Sequence, residues 1–403
     1  MRLAMNAIPQ TPKPQALELA ARAKAFVPRL RDGQAESDRL ARVSPALAEE
    51  LEEAGFLSMT TPRAYGGHQV SLSEWMEVNC ELGRGDGGVA WAVALVNTGN
   101  WTVAAAFPKA VSDEVFSRPN ARVAGVFSPG KGSSVRLVDG GIIIEKGFWP
   151  FNSGVHLAHW NLLGVLLPDE KGDFVRPSLA LMPIEDCKIL NDWNTIGLRG
   201  SGSSSVTVED VFVPWERIVD TFACIGGDYK GGFQDQALYR CAFNPLDAII
   251  LKFATVGLGQ AMLEEVLSQI PSRKILLTHH DKQAEAAVTH LQLGEASGRI
   301  EAAQLMVAKC CAEVDAWAEK GEFMPFAERA KTRLYTGIAG QLLWEGVDLL
   351  ASAGGGSFAR ADNRLSRIWQ DLRVANMHAM ANSASNYELY GRILCGLEPS
   401  MAV

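Results

Sequence analysis

The hydrophobic period of this chain changes twice along its length, and that order constrains the fold more than any one motif. Near the start, apolar side chains recur at helical spacing, as at Ala16, Ala20, Ala23 and Val27. Ser44 followed by Pro45 is an N-cap with proline at the first helical position, and Gly55 supplies a stop. A turn over Pro62–Gly67 precedes helices predicted near Ser73–Leu82 and Gly87–Ala106. The second is rich in small residues and carries Trp91 and Trp101. From residue 122 to about 225 the period falls to two. Val135–Val138 and Ile142–Glu145 flank Asp139-Gly140-Gly141, a hairpin signal. Trp160–Leu167 and Ser178–Pro183 continue the strand character. Val206, Val208, Val211 and Val213 alternate except for one extra residue near Glu209-Asp210, where a bulge is expected. Beyond Asn244 the helical period returns in four long segments, near 245–269, 282–319, 327–352 and 370–396. These predict an up-and-down four-helix bundle. The expected domains are a helical one over 1–121, an antiparallel β domain over 122–232 and the bundle over 233–403.

Composition adds exclusions. At 403 residues there is ample core for two or three domains. A net charge of -8 argues against nucleic acid as a main partner, because phosphate binding needs a basic surface. No apolar run approaches the ~20 residues of a membrane-spanning helix, so no membrane association is expected. Met1–Pro14 lacks the apolar core of a secretory signal and reads as a short disordered lead-in. The seven cysteines are scattered, with no Cys-x-x-Cys pair, which reads as reduced thiols and a cytoplasmic location. His156 and His159 have a spacing seen in metal sites but no cysteine or carboxylate partner in sequence, so no metal is expected. The Gly200–Ser205 run precedes a strand instead of opening a helix, which rules out a dinucleotide fingerprint. Neither a Walker A loop nor a Gly-x-Ser-x-Gly elbow occurs.

Several short segments then fall in a telling order. They are Pro62–Gly67, Phe127-Ser128-Pro129-Gly130-Lys131-Gly132-Ser133, Phe148-Trp149-Pro150-Phe151-Asn152-Ser153-Gly154, Gly197-Leu198-Arg199-Gly200-Ser201 leading to Val213-Pro214, and Gly354-Gly355-Gly356 followed by Arg367 and Asp371. Together they resemble the acyl-CoA dehydrogenase superfamily over nearly the whole chain. The Phe-x-Ser-Gly ending at Phe151–Gly154, where dehydrogenases of this fold carry a Trp-Ile-Thr-Asn-Gly type motif, is similar to the two-component flavin-dependent monooxygenases of that fold. Oxygenase components of p-hydroxyphenylacetate, hydroxysteroid-phenol and indole hydroxylases are examples.

The resemblance implies a mainly α protein with a central antiparallel β domain. It also implies an untethered reduced flavin, FAD or FMN, with O2 as co-substrate. In such enzymes a C4a-hydroperoxyflavin hydroxylates a small phenolic or indolic aromatic. With no NAD(P)H fingerprint here, the reduced flavin would come from a separate reductase. A homotetramer is implied too, since superfamily members complete the flavin site across subunits. By the same resemblance Ser153 lies near flavin N5, and His378, seven residues after Asp371, faces the substrate. Phe127, Ser128, Ser133, Trp149, Phe151, Asn152, Arg199, Gly354 and Gly355 are the expected flavin contacts. Trp91 and Trp101 join His378 as expected pocket lining.

Each assignment has a structural rival. Ser153 is equally a strand-end hydroxyl bonding its own backbone. Asp371, His378 and Asn382 share one face of a continuous last helix, which permits a purely structural network. Trp149 and Phe151 are flavin walls or β-domain core, and Arg199 is a phosphate ligand or an ordinary ion-pair former. Asp362 stands about where a dehydrogenase keeps its base, but it is a methylene short and lies among Arg360, Asn363 and Arg364. The Arg-x-x-Phe-Gly motif of the dehydrogenases is replaced by His279, His280 and Lys282 within Leu277–His290. The rival functions are a sulfur or amine oxygenase of the same fold, an acyl-CoA dehydrogenase using Asp362 as base, and a flavin- or ligand-binding protein without activity.

Overall fold

The computed structural model describes residues 14–168 and 175–403; the expected disordered lead-in lies outside the described residues except for Pro14. Helix α1 (Pro14–Leu40) leads to α2 (Pro45–Glu53), whose first turn is capped by the Ser44 hydroxyl accepting from the Leu47 amide. A reciprocal capping box between Ser71 and Glu74 opens α3 (Leu72–Gly85). Asp86 then caps α4 (Gly87–Ala106) by accepting from the Val89 amide at 3.0 Å, and α5 (Lys109–Phe116) follows. Nearly every residue of α4 is buried, as its lack of a polar face requires. It lies hard against the β domain. A Cβ at Gly99 would stand 2.1 Å from the Val123 carbonyl, and one at Gly88 would stand 2.8 Å from the Gly200 amide. Only glycine lets the helix backbone come this close, and that closeness carries Trp91 to the domain junction.

Two four-stranded sheets form the centre. One has the order β1 (Val123–Pro129), β4 (Trp160–Pro168), β5 (Val175–Pro183), β8 (Ile218–Asp220). The other runs β2 (Lys131–Val138), β3 (Gly141–Trp149), β7 (Val206–Pro214), β6 (Lys188–Ile189). All neighbours are antiparallel except β1 and β4. Ile142, Ile144, Trp149, Leu163, Val165 and Val213 share the core of this layer. The β2–β3 hairpin turns where expected, with Val138 opposite Gly141.

The bulge expected at Glu209-Asp210 takes another form. Lys146 pairs with Glu209 and Ile144 with Val211, so the register is the same on both sides and no residue is inserted. Asp210 instead adopts φ 51°, which turns the strand over and moves its inward residues from Val206 and Val208 to Val211 and Val213. Strand β3 turns over in step, from Ile142 and Ile144 to Trp149.

After the short α6 (Thr221–Ile225) come α7 (Phe243–Gln269), α8 (Ala287–Lys320), α9 (Phe326–Ala353), α10 (Arg364–Ala375) and α11 (Ser383–Leu394). The expected fourth segment is thus two helices. Asn382 starts the second by accepting from the Ser385 amide at 3.1 Å. His378 consequently sits in the connecting turn, not on a helix face shared with Asp371 and Asn382. The reason is capping: a side chain that satisfies a free amide at position 382 favours a new start over a continued helix. One expectation about apolar length is also corrected. By length and composition α7 is apolar enough to cross a membrane, and 83% of its most apolar window is buried inside the protein. It packs against α3, α4 and α9 and carries a fully enclosed lysine, Lys252.

Candidate active site

Three of the expected residues meet at the junction of α4, the end of β3 and the α10–α11 turn. The Trp91 indole N–H donates to Ser153 Oγ at 3.1 Å. The same indole stands edge-on to the His378 imidazole, with ring centroids 6.0 Å apart. Trp91 therefore links a hydroxyl of the β domain to an imidazole of the helical domain. Ser153 Oγ also lies 2.8 Å from Ser203 Oγ, which lies 2.6 Å from Ser201 Oγ. A hydroxyl has one donor and two acceptor positions. Trp91 fills one acceptor of Ser153 and Ser203 takes a second bond, so one hydrogen-bonding direction is left over. Ser203 is not singled out in the sequence, and Ser201 enters there only within the Gly197–Ser201 and Gly200–Ser205 segments, because a serine run before a strand has no distinctive spacing.

His378 is exposed at the surface of the single chain, with the Trp91 indole against its ring and the charges of α7 and α9 behind the turn. That surrounding governs its ionisation. Burial first, then the positive charges of Lys252 and Arg333, lower its pKa to about 4. The ring is therefore neutral at ordinary pH. Its Nδ1 accepts from the Met380 amide at 3.3 Å, so the hydrogen-bond pattern assigns the remaining proton to Nε2. The group offered to a ligand is thus an N–H donor.

The other expected residues have varied surroundings. Phe151 has φ 65° and is 67% exposed, its ring edge-on to Trp193 at 6.2 Å. A bulky residue in that conformation costs on the order of 1–3 kcal/mol, and here the strain holds an aromatic face outward beside Ser153. Trp149 and Asn152 are fully buried, the first with its N–H on the Gly164 carbonyl at 2.8 Å and the second donating to Asn161 Oδ1 at 2.9 Å. Both brace the strand end from beneath. Phe127 is half-buried and stacks on Phe243, while Ser128 is exposed and Ser133 donates to the Gly130 carbonyl at 2.8 Å.

Trp101 presents no surface to solvent. It is fully enclosed, donates to the Leu238 carbonyl at 2.8 Å and packs against Phe243 and Tyr229. Ten positions separate it from Trp91 on one helix, about 80° apart around the axis, and the two indoles find different partners. Arg199 is spent on the carbonyls of Asp38 and Thr195 at 2.8 and 2.9 Å. Gly354 and Gly355 adjoin Arg273, which donates to the Gly354 carbonyl. His156 bonds Arg42 and Ser204, whereas His159 bonds Arg122, so the two imidazoles do not converge. An open cleft of about 440 Å³ lined by Glu81, Arg84, Gln260 and Glu264 lies away from all of these residues. Shape alone would point there, but it holds none of the converging aromatic and hydroxyl groups.

Asp362 is exposed and paired with Arg360 at 3.0 Å, an arrangement that lowers its carboxyl pKa. A solvated, ion-paired carboxylate is a poor base for a buried substrate proton. We expect Asp362→Asn to leave turnover within about two-fold of wild type, because surface changes of this kind are small; steady-state kinetics on the same substrate would check this.

The observed groups suit a flavin ring edge: an outward aromatic face next to a buried hydroxyl that keeps one unused bond. Comparisons with known proteins agree. Residues 13–111 match the acyl-CoA dehydrogenase N-terminal domain and residues 249–383 the acyl-CoA dehydrogenase C-terminal domain. The chain is 27% identical over 374 residues to the flavin-dependent monooxygenase oxygenase subunit HsaA of Rhodococcus jostii (strain RHA1), covering 92% of this chain and 96% of that one. It is 24% identical to the FADH(2)-dependent resorcinol hydroxylase, oxygenase component, of Rhizobium sp. (strain MTP-10005), covering 98% and 99%. The solved structure of XiaF from Streptomyces sp., in complex with FADH2 and glycerol, superposes with a TM-score of 0.88 at 28% identity, covering 96% and 97%. With both terminal domains matched and full-length relatives of one kind, this chain belongs to the acyl-CoA dehydrogenase-fold family of flavin-dependent monooxygenase oxygenase components.

Proposed function

We propose that the protein hydroxylates a small aromatic substrate that carries a ring hydroxyl, using O2 and a reduced flavin supplied by a separate reductase. The observation that carries this reading is the Trp91 bridge between Ser153 and a neutral His378. When bound, the reduced flavin, FAD or FMN, supplies the electrons and the atom on which O2 is activated. Ser153 would hold the flavin edge nearest the reaction through its unused bond. Phe151 and Phe127 would lie against ring surface, and the Phe127–Ser133 turn would offer backbone groups.

His378 would orient the substrate. Its Nε2–H donor suits a phenol or phenolate oxygen, which accepts, and does not suit an indole N–H, which only donates. This favours a phenolic over an indolic substrate, and it equally disfavours a sulfide, a weak acceptor. The resorcinol relative acts on a compound of this phenolic kind by its name. The proposal extends to a homotetramer in the cytoplasm. Large apolar side chains left exposed on α8, Leu291 at 73% and Leu305 at 64%, support burial against further copies.

The test is direct. Protein mixed with chemically reduced FMN or FAD, then with O2, should convert a simple phenol to a product with one more oxygen. Indoles, sulfides and amines should react more slowly. Bleaching of bound oxidised flavin by an acyl-CoA, without oxygen uptake, would instead establish a dehydrogenase.

A further inference from the structure

We infer that Lys252 is a positioning residue for this reaction: it pins the turn that carries His378 and sets the charge behind that imidazole. The inference rests on the proposed role of His378 as the substrate's hydrogen-bond donor. Lys252 lies mid-helix on α7 and is fully buried. Its Nζ donates to Asn376 Oδ1 at 3.2 Å and to the Ala381 carbonyl at 3.1 Å, two neutral acceptors. These two residues bracket the α10–α11 turn, with His378 between them. Room for the ammonium is made on α9: a Cβ at Gly340 would stand 2.7 Å from Nζ. Asn376 in turn donates to the Gly340 carbonyl at 3.1 Å.

The far side of the turn is held similarly. Buried Arg333 donates to Asn386 Oδ1 at 2.9 Å, and Asn386 donates to the Met380 carbonyl at 3.1 Å. Two cations thus grip a seven-residue turn through neutral intermediaries. A lysine inside a helical core is costly, and methionine would pack there without that cost. What the lysine adds is reach to both ends of the turn, and charge. The charged groups acting on His378 are Lys252 from α7 and Arg333 from α9, and Asp247 of α7 interacts with Arg333. Burial raises the Asp247 carboxyl pKa to about 7, so below neutral pH it does little to offset Arg333, and Lys252, placed ahead of Arg333 in its effect on the ring, acts beside it. While Lys252 is protonated, up to about pH 7, its charge behind the ring disfavours imidazolium and favours an anionic oxygen at Nε2–H. The substrate hydroxyl would then give up its proton to water, not to His378, and be held as its phenolate.

Two substitutions separate tether from charge. Lys252→Met removes both, and Lys252→Gln keeps an N–H donor without the charge. The readout is the His378 titration in the resting protein without flavin, followed by NMR of ring-labelled histidine; the signal missing in His378→Asn identifies the residue. In wild type the ring should stay neutral to below about pH 5, and in both variants its midpoint should rise by about one unit or more toward the ordinary ~6.5. In turnover, both variants should weaken binding of a phenol more than of its methyl ether, with affinity for reduced flavin unchanged.

Lys252 itself provides a second measurement. Burial lowers its pKa to about 7, so the unfolded chain binds a proton there that the folded chain lacks, between about pH 7 and ~10. That group's contribution to stability therefore rises with pH across this window, and the melting temperature of wild type relative to Lys252→Met should rise with it. A wild-type His378 midpoint near 6.5, or one identical in wild type and Lys252→Met, overturns the inference, and the first result needs no variant to fold. Absence of any oxygenase activity with a normal Lys252 effect on His378 would instead overturn the proposed reaction.

Discussion

His378→Ala should lower the yield of hydroxylated product by about two orders of magnitude, the usual worth of a positioned proton-handling or hydrogen-bonding group. Oxygen uptake should continue, because His378 makes no direct contact with Ser153 and reaches it only through Trp91. The missing product should therefore reappear as H2O2. Measuring oxygen, peroxide and product together separates this from a general loss of activity. The substitution also leaves the edge of Trp91 without its neighbour, so part of the loss would come from a looser indole. His378→Gln, which keeps an N–H donor near the position of Nε2, should recover part of the yield. The pH dependence is distinctive. With the imidazole pKa lowered to about 4, the donor tautomer persists across the neutral range, and product yield should fall on the acid side only below about pH 5. An acid limb centred near the ordinary histidine value would contradict the environment described here. Equal product from His378→Ala and wild type would remove the residue from the reaction altogether.

Ser153→Ala should shift the same balance from the other side. The variant loses the hydroxyl that Trp91 and Ser203 orient, and with it the remaining bond toward the flavin edge. One hydrogen bond to a reacting group is worth about 1–1.5 kcal/mol net, or roughly ten-fold in the partition between product and peroxide. Peroxide released per reduced flavin consumed should rise accordingly, while substrate affinity stays near wild type. Ser203→Ala provides an internal control. It removes a neighbour that orients the Ser153 hydroxyl but leaves that hydroxyl in place, so its uncoupling should be smaller and in the same direction. If Ser203→Ala equals Ser153→Ala, the hydroxyl chain acts as a unit. If neither changes the partition, Ser153 is only a strand-end hydroxyl.

The contrast between Trp91 and Trp101 shows where reading residues in order reaches its limit. Both lie on one apolar helix, and nothing in their spacing says which faces the junction. Their burial and partners settle it: Trp101 closes on the Leu238 carbonyl, while Trp91 reaches Ser153. Similarly, a hydrophobic pattern through residues 370–396 gave no sign of a break, because apolar residues on both sides kept the helical period. The first helix ends at Ala375 and Asn382 caps the start of the next, and asparagine is common enough not to announce a helix start. The buried Lys252 was equally silent, since one lysine in an apolar helix reads as a snorkelling surface residue.

The amino-acid order by itself determined the succession of helices, sheets and helices, the hairpin at Asp139–Gly141 and the family to which the motifs belong. The succession and the hairpin follow from local period and turn chemistry, which neighbouring residues carry among themselves, whereas the family rests on the likeness of short motifs to those of known proteins. Which hydroxyl, indole and imidazole meet, and which backbone groups a buried lysine reaches, became visible in the folded chain alone. These depend on distance and burial between segments far apart in the chain, and desolvation acts on a group only once the fold has closed around it.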